Sequence, residues 1–369
     1  MKKVLVASNI DLFCYKFLIP YFKYFKENGY IVEVASQGDG NSLSDYDKKY
    51  NVDFPRRINY KEFKIAYQQI KSILLENHYD IIFCHSPFGG AITRLAAKNC
   101  KLKNTRIIYM AHGFHFFKGA PLKNWLLFYH AEKYLAKYTD DIITINKEDY
   151  NNAKKHFKSN IYFLNGVGFN FDKNNIILSE KEKSVLRGKY KLKKDDFVMM
   201  FPGELNYNKN QIFLINAMKE LNKNYKNIHL LLPGNDCLNG ELQKYVKENR
   251  IKNVQFLGFC NNIAELLNIT NLALSSSYRE GLPINIMEAM NAGLPIVATN
   301  CRGNRDLVNE ENGFLIQVND IDELINCILK IYNKEVDLEK IKNYNHEEIK
   351  KYKLENVLKD FDKIIKKKI

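Results

Sequence analysis

The sequence predicts an α/β protein of two doubly wound domains that face each other across a cleft. Its 369 residues exceed what one hydrophobic core usually supports. Short apolar or β-branched runs alternate with longer amphipathic runs along the whole chain, a pattern typical of parallel strands joined by crossover helices. A hydrophobic content of 46% excludes a disordered or fibrous chain. Doubly wound sheets bind ligands at the carboxyl ends of their strands, so we expect the functional residues there.

The first half of the chain contains five predicted strands, separated by helical segments. Apolar or β-branched residues fill each strand, at residues 4–8, 31–36, 80–85, 106–110 and 141–145. Helical periodicity is clear in residues 15–29, 91–99 and 122–138. Residues 165–183 combine weak periodicity with many turn-forming residues, which favours a linker.

The strand pattern starts again after this linker. Six further strands are predicted, at residues 197–201, 228–232, 254–258, 272–276, 295–299 and 314–318. The chain ends in an amphipathic helix whose last residues are lysines, which suit a helix C-terminus. We therefore expect an N-terminal domain over residues 1–170, a C-terminal domain over residues 171–350, and a final helix, residues 351–369, that packs back toward the N-terminal domain.

The net charge of +14 is concentrated in the first half of the chain. Residues 1–170 carry 25 Lys and Arg against 15 Asp and Glu. Such a bias suits nucleic acid, an anionic membrane surface or a phosphorylated substrate, and it also arises where lysine and asparagine are simply common in the source organism. The charge alone does not separate these alternatives.

Cysteine usage and the N-terminal residues indicate a cytoplasmic protein. The seven cysteines are scattered and contain no C-x-x-C pair, which argues against a disulfide framework or a zinc site and favours buried free thiols. The apolar run at the start reaches polar residues too soon for a signal peptide, and no run approaches the roughly 18 apolar residues of a membrane span.

The stretch between the fourth and fifth strands of the second half predicts an anion site. Gly281 and Leu282 form a strand-to-helix turn, and a helix is expected to start at Pro283 and to stop at residues 292–293. Backbone N–H groups around Leu282 and Ile284 lack intrahelical partners, and the helix dipole there favours an anion such as phosphate.

Two glutamates frame this anion site. Glu280 lies just before the turn, where a carboxylate would accept hydrogen bonds from sugar hydroxyls or stabilise developing positive charge. Glu288 lies about 7.5 Å along the helix, close enough to reach a ribose whose diphosphate occupies the helix start. The simpler alternative is that both acids are solvated, as glutamates near helices usually are.

The segment E-G-L-P-I-N-I-M-E-A-M-N-A-G-L-P-I-V-A-T resembles the E-x7-E signature of retaining glycosyltransferases of family 4. These enzymes have the GT-B fold of two facing Rossmann-like domains. The resemblance covers the whole chain and is closest to the capsular and exopolysaccharide glycosyltransferases. It implies that Glu288 binds the ribose hydroxyls of a nucleotide sugar, and that Glu280 contacts the donor sugar at the catalytic centre.

The family's diphosphate motif is only partly present. Gly203 and Lys209 match its glycine and lysine, but Glu204 occupies the position of its arginine. An acid cannot replace a guanidinium at a diphosphate. Either Arg279 supplies the missing charge, which we favour, or the diphosphate rests on Lys209 and the helix start alone.

Further positions carry over from the family one at a time. His112 follows a predicted strand and matches the catalytic histidine of the first domain that faces the donor sugar, whereas His115 more closely fits a packed residue. His85 and Asn9 also end strands and are candidates to line the cleft, although the family's glycine-rich first loop is not evident after residue 8. Gly258 lies in a loop that forms the base and ribose pocket in the family.

The resemblance implies a hexosyltransferase that takes a sugar from a nucleotide diphosphate sugar, most simply a UDP-sugar, and transfers it to a polyprenyl-diphosphate-linked saccharide. No cofactor is expected. Three Asp-x-Asp pairs occur without a context that suggests a metal, so we expect metal independence. They are Asp45 and Asp47, Asp320 and Asp322, and Asp360 and Asp362.

One helical segment of the first half suits the inner face of an anionic membrane. Cations and aromatic residues mix along it, at Lys118, Lys123, Trp125, Phe128, Tyr129, Lys133 and Lys137. The alternative is an ordinary helix with core aromatics and solvated lysines.

Two other functions remain open at this point. A nucleotide-sugar 2-epimerase would share the GT-B fold but lacks the E-x7-E turn. A basic nucleic-acid-binding protein would leave the two glutamates unexplained, so we expect no nucleic-acid partner.

Overall fold

The computed structural model describes residues 1–102, 104–171 and 176–367. The chain folds into two compact units. Unit 1 comprises Met1–Gly168 and Leu354–Ile369, and unit 2 comprises Phe169–Lys353. Each unit is built on one parallel sheet, so the predicted α/β class with two doubly wound domains is confirmed.

Unit 1 contains a seven-stranded parallel sheet in the order β3-β2-β1-β4-β5-β6-β7. Its strands are β1 (Lys2–Ile10), β2 (Tyr30–Gln37), β3 (Lys48–Asn51), β4 (Ile81–His85), β5 (Arg106–Ala111), β6 (Asp141–Thr144) and β7 (Asn160–Phe163). The five predicted strands are confirmed. The two that the sequence reasoning missed, β3 and β7, are the four-residue edge strands of this sheet. Neither is fully buried; β3 contains two lysines, and the apolar run of β7 is only three residues long.

Seven helices of unit 1 connect these strands. They are α1 (Asp11–Phe17), α2 (Ile19–Glu27), α3 (Tyr60–Glu76), α4 (Pro87–Cys100), α5 (Leu122–Asn124), α6 (His130–Leu135) and α7 (Lys147–His156). The helix predicted over residues 122–138 is present but not uniform. A π-helical segment, Trp125–Tyr129, joins α5 to α6, and a 3₁₀ turn, Ala136–Tyr138, ends the run.

Unit 2 contains a six-stranded parallel sheet in the order β10-β9-β8-β11-β12-β13. Its strands are β8 (Phe197–Met200), β9 (Ile228–Pro233), β10 (Val254–Gly258), β11 (Leu272–Ser275), β12 (Ile296–Thr299) and β13 (Gly313–Ile316), and all six were predicted. The sheet is buried on both faces, because Met199 belongs to one apolar cluster while its neighbours Val198 and Met200 belong to another.

The helices of unit 2 are α8 (Glu180–Lys189), α9 (Gln211–Leu221), α10 (Glu241–Glu248), α11 (Ile263–Leu267), α12 (Ile284–Asn291), α13 (Asn304–Leu307), α14 (Ile321–Tyr332) and α15 (Leu338–Glu348). The predicted linker over residues 165–183 extends too far. Its last residues form the first turn of α8, because Ser179 and Glu182 make a reciprocal capping box. Residues 172–175 of that segment lie outside the described residues.

The final helix, α16 (Leu354–Lys366), packs within unit 1. Its Phe361 is fully buried, with its ring 4.9 Å from that of Tyr21. The Arg106 guanidinium donates hydrogen bonds to the carbonyl oxygens of Ile364 and Ile365, at 2.8 and 2.7 Å. These bonds satisfy carbonyl groups that the end of a helix leaves without partners. Over the described ranges, no helix is both long enough and apolar enough to cross a membrane.

Candidate active site

In unit 1, Asn9 organises the loop that begins helix α4. Asn9 follows the buried part of β1, and its Oδ1 accepts hydrogen bonds from Ser86 Oγ at 2.7 Å and from the backbone N–H of Gly89 at 2.6 Å. A Cβ atom on Gly89 would lie 2.8 Å from Asn9 Oδ1, so glycine is needed for this close approach. Asn9 is therefore committed to the loop by its Oδ1.

The same edge of the sheet brings His85 and His112 together. His85 Nδ1 lies 3.0 Å from His112 Nε2, at the ends of β4 and β5. The ring of Phe13 meets that of His112 edge-on, with centroids 4.8 Å apart. Burial lowers the pKa of His112 to about 3 and the pKa of His85 well below its ordinary value, where His112 also contributes. Both rings are thus neutral at pH 7.

His115 lies apart from this pair. Its ring packs against that of Phe128, with centroids 4.6 Å apart, and its backbone carbonyl accepts a hydrogen bond from Asn124 Nδ2 at 3.0 Å. Its contacts are those of a packed residue.

In unit 2, Lys209 and Glu280 form an ion pair. Lys209 Nζ donates to Glu280 Oε1 at 2.7 Å, and Ser277 Oγ donates to the same oxygen at 2.6 Å. Gly203 lies under the lysine stem, and a Cβ atom there would come within 3.4 Å of Lys209 Cε. The two residues are thus held together before any ligand is bound.

The turn before α12 has the predicted form, shifted by one residue. The helix begins at Ile284, so the prediction that it begins at Pro283 was wrong. Pro283 has φ −77° and ψ 120° and is the N-cap, because its extended backbone turns the chain into the helix. The predicted stop is confirmed, since Gly293 follows the helix with φ +73°.

Gly281 and Leu282 complete this turn, which is held from two directions. Gly303, with φ +84°, lies so close that a Cβ atom there would fall 2.7 Å from the Gly281 carbonyl oxygen. Asn285 Nδ2 donates to the Pro202 carbonyl oxygen at 3.1 Å and so links α12 to the end of β8. The helix start at Ile284, whose N–H group has no partner within the helix itself, is therefore held in place from both sides.

Three glycine-containing strand ends meet beside this turn. The N–H of Gly203 donates to the Pro233 carbonyl at 2.8 Å, and the N–H of Gly234 donates to the Gly258 carbonyl at 2.7 Å. A Cβ atom on Gly234 would overlap the Gly203 carbonyl oxygen at 1.8 Å. Gly258 adopts φ +65°, a conformation that glycine adopts most readily. The backbone at this edge is thus closely packed.

Two arginines lie near Glu280 and differ in burial. Arg279 is exposed, and its carbonyl oxygen accepts a hydrogen bond from Asn208 Nδ2 at 3.1 Å. Arg302 is buried, and its Nε donates to the Glu280 carbonyl oxygen at 3.0 Å. The sequence reasoning missed Arg302, although its position just after a predicted strand was a usable signal. Glu204, at the position of the expected arginine, is exposed.

Glu288 occupies a different part of unit 2. It lines a cavity of about 340 Å³ together with Thr270, Lys342 and His346, and Glu280 does not line this cavity. Burial raises the pKa of the Glu288 carboxyl to about 7. Within the described ranges, no hydrogen bond or ion pair reaches this carboxyl group. Glu288 is half-buried, and a largely desolvated carboxylate without partners is costly, so its oxygens are available to accept hydrogen bonds from a ligand.

The Asp-x-Asp pairs take part in local structure. Asp320 caps α14 by accepting from the N–H of Glu323 at 2.9 Å, and Asp47 accepts from the N–H of Val32 at 2.8 Å. Asp362 Oδ1 accepts from the Tyr24 hydroxyl at 2.7 Å. Among the residues that the structure describes, no three His, Cys, Asp or Glu side chains are grouped so as to hold a metal ion.

The segment proposed for membrane contact divides into two faces. Trp125, Phe128 and Tyr129 are partly buried and pack against the core of unit 1, so the aromatic residues follow the ordinary-helix alternative. The opposite face carries leucines. Leu122, Leu126 and Leu127 are 81%, 71% and 51% exposed. The lysines of the segment, at positions 118, 123, 133 and 137, are exposed as well.

Comparison with protein families identifies both halves of the chain. A model described as "Glycosyl transferases group 1" matches residues 182–348, and one described as "Glycosyl transferase 4-like" matches residues 3–146. The chain is similar to EpsD of Bacillus subtilis (strain 168), which is named as a glycosyltransferase, with 38% identity over 90% of this chain and 88% of EpsD.

Two further comparisons extend this similarity. The UDP-Gal:alpha-D-GlcNAc-diphosphoundecaprenol alpha-1,3-galactosyltransferase of Escherichia coli is 27% identical over 79% of this chain and 76% of its own. The crystal structure of Anabaena HepE in complex with UDP and glucose superposes with a TM-score of 0.78 and 17% identity, over 99% of both chains, which shows a shared fold. These matches do not favour the epimerase alternative. The chain therefore belongs to glycosyltransferase family 4, whose members have the GT-B fold of two Rossmann-like domains.

Proposed function

We propose that this glycosyltransferase moves a hexosyl group, with retention of anomeric configuration, from a UDP-sugar to a polyprenyl-diphosphate-linked saccharide in capsular or exopolysaccharide biosynthesis. The observation that carries the proposal is the Lys209–Glu280 ion pair beside the turn into α12. A cation, a helix start and a carboxylate are the groups that a diphosphate and a sugar require.

In this proposal, each of these groups binds a different part of the nucleotide sugar. The diphosphate rests on Lys209 and on the backbone N–H groups at the start of α12, where the helix dipole favours negative charge. When Lys209 turns to the diphosphate, the Glu280 carboxylate becomes free to accept hydrogen bonds from the donor sugar. The Glu288 carboxylate accepts hydrogen bonds from the two ribose hydroxyls, which become the partners that this desolvated group otherwise lacks.

The second cation for the diphosphate is Arg279 in this proposal. Its side chain is exposed and directly precedes Glu280, so it can reach a ligand without breaking a buried contact. Arg302 is the alternative, because its guanidinium already lies against the Glu280 backbone.

In the reaction, the bond between the anomeric carbon and the diphosphate oxygen breaks, and the acceptor hydroxyl oxygen bonds to the same face of that carbon. The acceptor proton passes to the departing phosphate. Positive charge develops on the sugar and negative charge on the diphosphate, so Glu280 stabilises the first while Lys209 and the start of α12 stabilise the second. His112 contacts the donor sugar as a neutral hydrogen-bonding group.

Two relatives support the choice of donor and acceptor. The Escherichia coli relative is named for a UDP-Gal donor and an alpha-D-GlcNAc-diphosphoundecaprenol acceptor, and the Anabaena structure holds UDP. Unit 1 is expected to bind the acceptor, near His112.

Transfer of sugar from a panel of UDP-sugars to a synthetic lipid-linked acceptor tests the proposal. UDP release should require both substrates, and proton NMR of the product should show the anomeric configuration of the donor. Glu280→Gln should abolish transfer, whereas Glu310→Gln, which removes an exposed acid of the same unit, should not. Inverted product, or full activity of Glu280→Gln, would contradict the mechanism.

The acceptor's lipid requires contact with a membrane, which we assign to the leucine and lysine face of residues 118–137. Exposed leucines can enter the lipid interface while the lysines meet anionic headgroups. The protein should sediment with vesicles containing phosphatidylglycerol, and Leu126→Ser with Leu127→Ser should reduce the bound fraction. Leu75→Ser, at another exposed leucine of unit 1, is the control. Equal binding by all variants would exclude this surface.

A further inference from the structure

The pair formed by His85 and His112 contains one nitrogen without a partner. His85 is fully buried, and its Nε2 has no hydrogen-bond partner in the part of the chain that the structure describes. The ring lies among apolar neighbours, with the Phe83 ring centroid 4.2 Å away. Of the two ring nitrogens of His85, Nδ1 makes a hydrogen bond within the described residues, and its partner is His112 Nε2 at 3.0 Å.

Two neutral histidines can form this hydrogen bond in two ways. In the first arrangement, His85 Nδ1–H donates to the lone pair of His112 Nε2, and both rings carry their proton on Nδ1. In the second arrangement, His112 Nε2–H donates to His85 Nδ1, and both rings carry their proton on Nε2. The choice is therefore a property of the pair, because moving one proton requires the other to move.

The burial of His85 favours the first arrangement over the second. The second leaves an N–H group of His85 buried without an acceptor, whereas the first leaves only a lone pair without a donor. Unpaired buried N–H groups are the rarer of the two in folded proteins, and an unmade bond costs the full desolvation of the group. The first arrangement also leaves the proton of His112 on Nδ1, the nitrogen that is not engaged by His85.

We propose that His85 is a positioning residue that holds His112 in the tautomer protonated on Nδ1, so that His112 offers its ligand a hydrogen-bond donor. His112 is half-buried, and its Nε2 is bonded to His85. Its Nδ1 is therefore the ring nitrogen available to a substrate. If the proposed function holds, this N–H group of His112 donates a hydrogen bond to an oxygen of the donor sugar, whereas the other tautomer could only accept a hydrogen bond from a sugar hydroxyl. The tautomer itself does not depend on the proposed function.

Long-range proton–nitrogen NMR spectra of protein labelled with ¹⁵N-histidine test the tautomer directly, since they separate Nδ1–H from Nε2–H rings. The chain has eight histidines, and His85→Asn and His112→Asn assign the two signals of interest by their loss. We expect both rings to be protonated on Nδ1. Protonation of both rings on Nε2 would overturn the proposal.

Two substitutions at position 85 test the consequence for the reaction. His85→Leu removes the Nδ1–H donor and fills the buried position with an apolar side chain of similar size. His85→Asn instead supplies an amide N–H close to the position of Nδ1. With His85→Leu, His112 should become a mixture of tautomers, and kcat/KM for the nucleotide sugar should fall roughly 3- to 10-fold, the effect of one hydrogen bond. His85→Asn should recover most of both properties.

The affinity for UDP separates a positioning role from a structural one. UDP lacks the sugar that His112 would contact, so its Kd should not change in His85→Leu. The exposed His78→Asn is the matched control and should leave all readouts unchanged. Loss of UDP affinity together with activity, or an unchanged tautomer in His85→Leu, would refute the positioning role. Absence of any sugar transfer by the unsubstituted protein would instead refute the proposed function, while the tautomer would still be decided by NMR.

Discussion

Replacing Glu288 with glutamine should stabilise the protein above pH 7 and have little effect near pH 4.5. Burial raises the pKa of this carboxyl group from 4.5 to about 7. Between those two pH values the folded chain holds a proton on Glu288 that the unfolded chain releases. The contribution of this group to the free energy of unfolding therefore falls as the pH rises from 4.5 to 7, and it stays low above pH 7.

The size of the effect follows from the same pKa values. A rise from 4.5 to about 7 corresponds to about 3 kcal/mol of lost stability above pH 7, at 1.36 kcal/mol for each pKa unit. A glutamine amide is desolvated much as the protonated carboxyl group is. The difference in the free energy of unfolding between the two proteins therefore changes with pH only through the charge on Glu288. That change measures what it costs to bury the charge.

Chemical unfolding of both proteins at pH 5 and pH 8 measures this difference. Glu288→Gln should be the more stable protein at pH 8, and the gap should nearly close at pH 5. The exposed Glu310→Gln serves as the control, with a small effect at both pH values. A gap of equal size at pH 5 and pH 8 would refute the assignment of a raised pKa to Glu288.

Nucleotide binding extends this test to the site. Hydrogen bonds from ribose hydroxyls favour the ionised form of Glu288, so UDP binding at pH 6 should release a proton from it. Titration calorimetry in buffers of different ionisation enthalpy measures the released proton. A 2′,3′-dideoxy analogue of UDP keeps the diphosphate but lacks both hydroxyls, and it should release less. Equal release by the two ligands would exclude contact between Glu288 and the ribose.

Two further predictions concern the turn into α12. Gly303→Ala should destabilise the protein more than Gly240→Ala does, and of the two variants it should be the one that weakens UDP binding. Both residues have φ +84°, but a Cβ atom at position 303 would come too close to the Gly281 carbonyl oxygen, whereas one at position 240 meets nothing. Gly240, with ψ 6°, lies in the left-handed helical region, where the strain on an alanine is worth about 1–2 kcal/mol, whereas Gly303 has ψ −50°. Thermal unfolding measures the total cost at each site, and UDP titration reports the effect of the clash at position 303. Arg279→Ala should weaken UDP binding about 10-fold or more and uridine binding much less, since a hydrogen bond to a charged group contributes about 1.5–3 kcal/mol. Unchanged UDP affinity in Arg279→Ala, with a loss in Arg302→Gln, would move this role to Arg302.

Most of the sheet could be predicted from the sequence, and the exceptions have a common physical cause. Central strands such as β4 and β12 are buried on both faces, which requires an unbroken apolar run that is visible in the sequence. The edge strands β3 and β7 gave a weaker signal, because one side of each makes no strand pairing and their faces are only partly buried. β3 accordingly contains two lysines, and the apolar run of β7 is only three residues long. The start of α12 was misplaced by one residue, since proline suits both the N-cap and the first helical position.

The candidate site divides in the same way. The sequence indicated which residues end the strands, so Asn9, His85 and His112 were all expected at one edge of the first sheet, where they lie. Arg302 was missed, because an arginine in a loop has no periodicity, and its position just after a predicted strand was the signal that could have identified it. The motif also suggested that Glu280 and Glu288 lie on either side of one anion site, and the cavity beside α15 is lined by Glu288 and not by Glu280.

The sequence by itself determined the fold class, the family and the strand ends that carry the candidate residues, since each of these depends on local patterns of apolar and turn-forming residues. Only the tertiary structure decided which polar groups meet. Lys209 and Glu280 are 71 positions apart, and His85 and His112 are 27 apart, yet each pair is joined by a hydrogen bond of 3.0 Å or less. Such contacts form because strand ends that are far apart in the sequence lie side by side in the fold, to within a few tenths of an ångström. A local sequence pattern does not predict that placement.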